Sequence, residues 1–201
     1  TPGGLRGGAP DPPAEGGPGP VTRTLVKRAG RATANADGTW SLTYTVAATN
    51  DSDIPLVYDL VDDPQATLPA GVTVVSGSVS PAGSWNGTSV TTLADDATLA
   101  PHSTTTYTVT IVVSVAPSVK ADALDCTVTD GGMVNAAPLT SGNQTIVDDA
   151  CLSVIPPTIV HDKTVTSTAQ NADGTWTIVY DVTVTNTGSV AGLYDLSDEL
   201  L

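Results

Sequence analysis

Asn35-Ala36-Asp37-Gly38-Thr39-Trp40 decides how this chain is read, because Asn171-Ala172-Asp173-Gly174-Thr175-Trp176 repeats it 136 residues downstream. Working outward without a gap, residues 26–65 lie on 162–201 with 15 identities in 40 positions. Outside the hexapeptide these are Lys27, Tyr44, Val46, Thr49, Asn50, Tyr58, Asp59, Leu60 and Asp62. The period is too long for a solenoid, whose units run roughly 20–50 residues and bury no core alone. It is the size of a whole domain, most often about 100–150 residues. The expectation is one complete repeat over 21–155 and the opening of a second over 156–201, cut from a longer protein.

The Asp-Gly pair of the hexapeptide readily takes positive φ and marks a tight turn. Before it, Val21, Arg23, Leu25, Lys27 and Ala29 share one parity. After it, Trp40, Leu42, Tyr44, Val46 and Ala48 alternate with Ser41, Thr43, Thr45 and Ala47, the pattern of a half-buried strand. Trp176, Ile178, Tyr180, Val182 and Val184 repeat that row. Further strands are expected at 56–61, 72–79, 89–93, 104–115, 133–137 and 144–154, with Pro101 and Pro117 bounding the longest. Composition agrees: threonine supplies 32 residues, glutamate two and lysine three, so strand formers dominate and helix formers are scarce. Short strands at regular turn spacing predict an all-β fold, a β-sandwich. Residues 1–20, rich in Gly and Pro, read as a disordered linker, and Pro156-Pro157 as a stiff hinge.

A net charge of −14, seven basic residues against 21 acidic, excludes nucleic acid, whose affinity rests on Lys and Arg neutralising phosphates. It also disfavours anionic membrane surfaces, and no apolar run is long enough to insert. His102 and His161 stand near prolines without a nucleophile motif, so no catalytic residue is assigned and an enzyme is not expected. No cofactor is implied. Asp51 and Asp53 could contribute oxygens to calcium, but the second copy has Thr187 and Ser189 there, and no metal site is assigned. The sequons at Asn50, Asn86 and Asn143 arise easily by chance in a threonine-rich chain.

The two cysteines, Cys126 and Cys151, fit a disulfide in an oxidising compartment. On the loop-entropy argument it would stabilise by about 3–4 kcal/mol. Two free buried thiols are the alternative.

Taken together, the first strand with Lys27, the Asp-Gly-Thr-Trp turn, Tyr44-Thr45-Val46 leading to Thr49-Asn50, Tyr58-Asp59-Leu60 and Val134-Asn135-Ala136 form a recognisable set. They resemble the prealbumin-like, immunoglobulin-like repeats strung along large Gram-positive bacterial surface proteins. Val182-Thr183-Val184-Thr185-Asn186-Thr187-Gly188 is similar to the same recurring pattern, and the resemblance covers 21–201. It implies a β-sandwich, secretion to the cell surface or wall, a stalk or adhesin role and no enzymatic activity. The partners it implies are neighbouring repeats of the same chain and, in the adhesin case, an extracellular glycan or host protein. Trp85, in the loop ahead of Asn86-Gly87, is the natural ligand contact in that case; folded back, it is a lid on the core.

Lysine is the most informative residue type. Lys27 and Lys163 occupy the same position of the two copies, and both share parity with apolar positions. A buried lysine needs a partner or must lose its proton. A snorkelling or aspartate-paired lysine is one reading. The sharper one is an intramolecular isopeptide bond from Lys27 to Asn135 with Asp59 as the acidic helper, a bond that repeats of the resembled kind often carry. Asp195 copies Asp59 beside Lys163. Asp62, copied as Asp198, is the alternative helper.

Overall fold

A computed structural model describes residues 21–188, 190 and 192–199. The linker expected at 1–20 lies outside the described residues. The described residues form ten antiparallel strands: β1 (Arg23–Ala34), β2 (Trp40–Asn50), β3 (Leu56–Val61), β4 (Val72–Ser80), β5 (Thr92–Leu99), β6 (Thr104–Val115), β7 (Met133–Ser141), β8 (Gln144–Leu152), β9 (Ile159–Gln170) and β10 (Trp176–Asn186). One sheet has the order β1-β2-β6-β4 and the other β5-β3-β7-β8, while β9 and β10 pair only with each other. The first eight make an all-β sandwich of two four-stranded sheets.

The repeated hexapeptide is explained by its turn. Asn35 N–H donates to the Thr39 carbonyl (2.8 Å) and Gly38 N–H to the Asn35 carbonyl (3.1 Å). Asp37 Oδ1 accepts both the Thr39 N–H (3.0 Å) and its hydroxyl (2.6 Å), which holds the Asp37 carboxyl below its usual range. Gly38 sits at φ +83°, a region side chains rarely enter. Every one of these bonds recurs around Asn171, Asp173 and Thr175, with Gly174 at φ +86°.

β2 is the spine of the first sheet. Its burial alternates without a break from Trp40 to Asn50, as a two-residue period requires when one face meets the opposite sheet. Two apolar clusters result. One gathers Trp40, Leu42, Tyr44, Ile111, Met133 and Trp85; the other gathers Leu25, Val46, Leu56, Tyr58, Leu60 and Leu139.

Cys126 and Cys151 are bridged, with Cα atoms 5.9 Å apart. The bridge ties the segment that crosses from β6 to β7 onto β8, where Cys151 stands opposite Val134. β9 and β10 carry the same turn as β1 and β2 but have no opposing sheet among the described residues, and Trp176, Ile178, Tyr180 and Val182 are exposed, Trp176 to 60 %.

Two strands depart from expectation, and β7 does so by running past 137 to Ser141. β5 runs over Thr92–Leu99, not 89–93, so the acidic pair Asp95-Asp96 lies within it. It is an edge strand with two register shifts against β3, and charge there blunts edge-to-edge pairing.

Candidate functional site: a buried lysine, aspartate and asparagine

The polar residues Lys27, Asp62 and Asn135 are buried where the two apolar clusters meet. Lys27 faces Val46 across β1–β2, and its amine lies 5.7 Å from the centre of the Tyr44 ring. Asn135 stands on β7 between Met133 of one cluster and Ala137 of the other. Asp62 follows directly after β3, continuing the inward row Leu56, Tyr58, Leu60.

Lys27 Nζ donates to Asp62 Oδ2 at 2.5 Å, and neither side chain touches solvent. Burial lowers the Lys27 amine's pKa, opposed chiefly by the Asp62 charge. Burial likewise raises the Asp62 carboxyl's pKa, opposed chiefly by Lys27. Both desolvation effects favour the same exchange, a proton leaving the ammonium for the carboxylate, because each ion loses its hydration here. Asn135 approaches Asp62 closely enough to draw that carboxyl's pKa back down, but the contact misses hydrogen-bond geometry. Asn135 Nδ2, Asn135 Oδ1 and Asp62 Oδ1 are all buried without a hydrogen-bond partner. Native interiors leave very few such groups.

Two neighbours brace the site. Tyr44 Oη donates to the Met133 carbonyl at 2.6 Å, tying β2 to β7 two residues from Asn135. The Asp148 carboxylate accepts the Lys27 backbone N–H at 2.7 Å, joining β1 to β8 across the open edge of the sandwich. The repetition of Tyr44 as Tyr180 is a signal for the first. Nothing in the sequence marks Asp148.

Three expectations are corrected. Asp59 is not the acidic helper: it points away from Lys27, and its Oδ1 accepts the Asp96 N–H at 2.8 Å. β3 carries apolar residues on both rows, and the outward row is the one with Val57, which is 51 % exposed. Asp195 fails likewise, since Lys163 pairs with Asp198 at 2.5 Å. Trp85 is not an exposed ligand contact: it is only 3 % exposed within the first cluster, and its indole N–H donates to the Asp62 carbonyl at 2.8 Å.

The acidic turn is accounted for by its own bonds. Asn50 Oδ1 accepts the Ser52 N–H and hydroxyl, and its amide donates to the Ile54 carbonyl. Asp51 takes the Thr24 hydroxyl, and Asp53 lies 2.8 Å from His102 Nε2. Among the described residues no cluster of three or more His, Cys, Asp or Glu could hold a metal ion, and no helix is long and apolar enough to cross a membrane. No family model, characterised protein or solved structure matches this chain.

Proposed function

We propose that this chain is a structural repeat of an extracellular surface protein, a stalk-type immunoglobulin-like sandwich locked by an amide bond between Lys27 Nζ and Asn135 Cγ. The observation that carries the reading is the Asn135 carboxamide, sealed in the core with neither end hydrogen-bonded, beside a lysine and an acid whose charges burial disfavours. As a packing arrangement this is expensive, about 1–3 kcal/mol for each unsatisfied group. As a set of reactants it has every part the chemistry needs.

The Lys27–Asp62 pair holds one mobile proton. With it on Asp62, the neutral amine attacks Asn135 Cγ while the carboxylic acid hydrogen-bonds Asn135 Oδ1 and stabilises the developing oxyanion. In the tetrahedral intermediate Asp62 gives its proton to Nδ2 and takes one from the former amine. The Cγ–Nδ2 bond breaks and ammonia leaves. One C–N bond forms, one breaks, and Asp62 ends as it began. The product amide ties the first strand of the sandwich to the seventh, and the disulfide closes the remaining end. A domain so cross-linked suits a spacer that must resist shear and proteolysis, and the tandem repeat and acidic, threonine-rich surface fit a chain of such spacers.

Intact mass spectrometry tests the bond. The wild-type chain is expected to weigh less than its sequence by one ammonia, beyond the two hydrogens of the disulfide. Lys27→Ala and Asn135→Ala are each expected to restore the ammonia, and Asp62→Ala to block its loss with both reactants in place. A wild-type mass equal to the sequence mass less two hydrogens overturns the proposal.

A further inference from the structure

Asp62 lies one residue beyond the end of β3, so no strand ladder fixes its main chain. Two bonds do so instead, and both come from the segment between β4 and β5. Asp62 N–H donates to the Thr91 carbonyl at 2.8 Å, and the Trp85 indole N–H donates to the Asp62 carbonyl at 2.8 Å. The second is a side-chain donor delivered into a fitted slot. A Cβ on Gly77 would stand 2.8 Å from the indole Cζ3 and 2.5 Å from the Asn86 carbonyl oxygen, so only glycine admits the ring there. A Cβ on Gly87 would likewise stand 3.0 Å from the indole Cη2. Asn86 Oδ1 holds the loop shut by accepting the N–H groups of Thr88 and Val90, at 3.0 Å each.

The second copy supplies an internal comparison. Lys163 and Asp198 meet at the same 2.5 Å, with the Tyr180 ring 4.4 Å from the amine, but no indole among the described residues holds Asp198. There the two side chains are 34 % and 53 % exposed, against 0 % for both in the first copy. The lysine–aspartate contact therefore forms without the rest of the sandwich, the β4–β5 loop included, and the desolvation that makes the pair reactive does not.

Resting on the bond proposed above, we infer that Trp85 is a positioning residue for its formation: docking of the β4–β5 loop sets the Asp62 main chain and closes the acid off from water, so the amide forms only after that loop has seated. The Trp85 indole N–H goes to the Asp62 carbonyl, not to the amine or the carboxamide. It acts through Asp62, and the order it imposes makes cross-linking a late step, taken once the sandwich has assembled around the right strand pairing.

The test is a time course of ammonia loss, read by intact mass on the full chain made by cell-free synthesis under oxidising conditions, across a range of pH. Trp85→Phe keeps a ring in the slot and removes the N–H. It is expected to slow ammonia loss about tenfold, to shift the acid limb of the pH–rate profile, and to end, like the wild type, one ammonia below its own sequence mass. Gly77→Ala, which crowds the ring and alters no polar group, is expected to slow it similarly, and stands as the test if Trp85→Phe does not fold. A folded Trp85→Phe chain with wild-type rate and pH profile overturns the role while leaving the bond standing. A wild-type chain that never loses ammonia overturns the bond, and this role with it.

Discussion

The carboxylate of Asp148 accepts the backbone N–H of Lys27, so the residue whose amine enters the core is pinned at its main chain by the opposite sheet. β1 and β8 are the edge strands of their sheets, and this bond spans the gap between them. A main-chain N–H at a sheet edge would otherwise turn to water; here it meets a charged acceptor at 2.7 Å, and hydrogen bonds to charged groups are the stronger kind.

Asp148→Ala is accordingly expected to destabilise the domain by about 1.5–3 kcal/mol. Asp148→Asn, which keeps an acceptor and loses the charge, should fall between it and wild type. Urea denaturation at constant m-value is the measurement. Equal midpoints for all three chains would show that the edge is held by something else.

The buried acid predicts a pH dependence once its partner is gone. Burial raises the Asp62 carboxyl's pKa, and the Lys27 charge is the main influence opposing it. In Lys27→Met the folded state therefore keeps a proton that the unfolded chain releases near pH 4. With more protons bound in the folded state, stability is full below about pH 4 and is lost as pH rises toward the raised folded value, by at most about 1.4 kcal/mol per pH unit. The double variant Lys27→Met/Asp62→Leu lacks the titrating group and should overtake the single variant as pH rises. Parallel stability curves for the two, measured from pH 3 to 8, would contradict this.

The uncovered hairpin should behave unlike its copy. β2 and β10 share the turn and half their sequence signal, yet Leu42, Tyr44 and Val46 are fully buried while Ile178, Tyr180 and Val182 stand in solvent. Exchange protection follows burial and cooperative packing. Amides of 176–186 are expected to exchange orders of magnitude faster than those of 40–50. Comparable protection would mean that something covers the hairpin in solution.

Much of this architecture is legible before any coordinates. Strict alternation from Trp40 to Ala48 names the buried face of β2, and the repeated Lys27 and Tyr44 fall on the strands that build the site. The acid was harder. In a six-residue strand reading Leu56-Val57-Tyr58-Asp59-Leu60-Val61, both rows are apolar, so parity alone cannot separate Asp59 from Asp62; only the opposing sheet chooses, and it covers Tyr58 and Leu60. Trp85 was harder still, because its partner is a main-chain carbonyl 23 residues earlier and main-chain groups leave no trace in residue type. The glycines at 77 and 87 are the residual sign of a ring that needs room.

Pulling on the domain gives the most direct view of its proposed covalent frame. Force applied near Val21 and Ile155 enters through β1 and leaves after β8. With an amide from Lys27 to Asn135, everything between those residues is bypassed. The Cys126–Cys151 bridge then spans the stretch from Asn135 onward, so only a few tens of ångströms can be released, at about 3.5 Å per residue. Asn135→Ala removes the long bypass and leaves the disulfide in place. Unfolding should then release roughly 350 Å, the contour of about a hundred freed residues. Reducing the disulfide in that variant should lengthen the step by the residues it had held, and reducing it in the wild type should add much less than unfolding releases in Asn135→Ala. The same cross-link should raise thermal stability by about 4–5 kcal/mol on the loop-entropy argument, given a closed loop of roughly a hundred residues. Single-molecule extension traces for wild type and Asn135→Ala, with and without reductant, separate these cases. A wild-type step as long as the variant's would mean that no bond joins β1 to β7, whatever the mass of the chain.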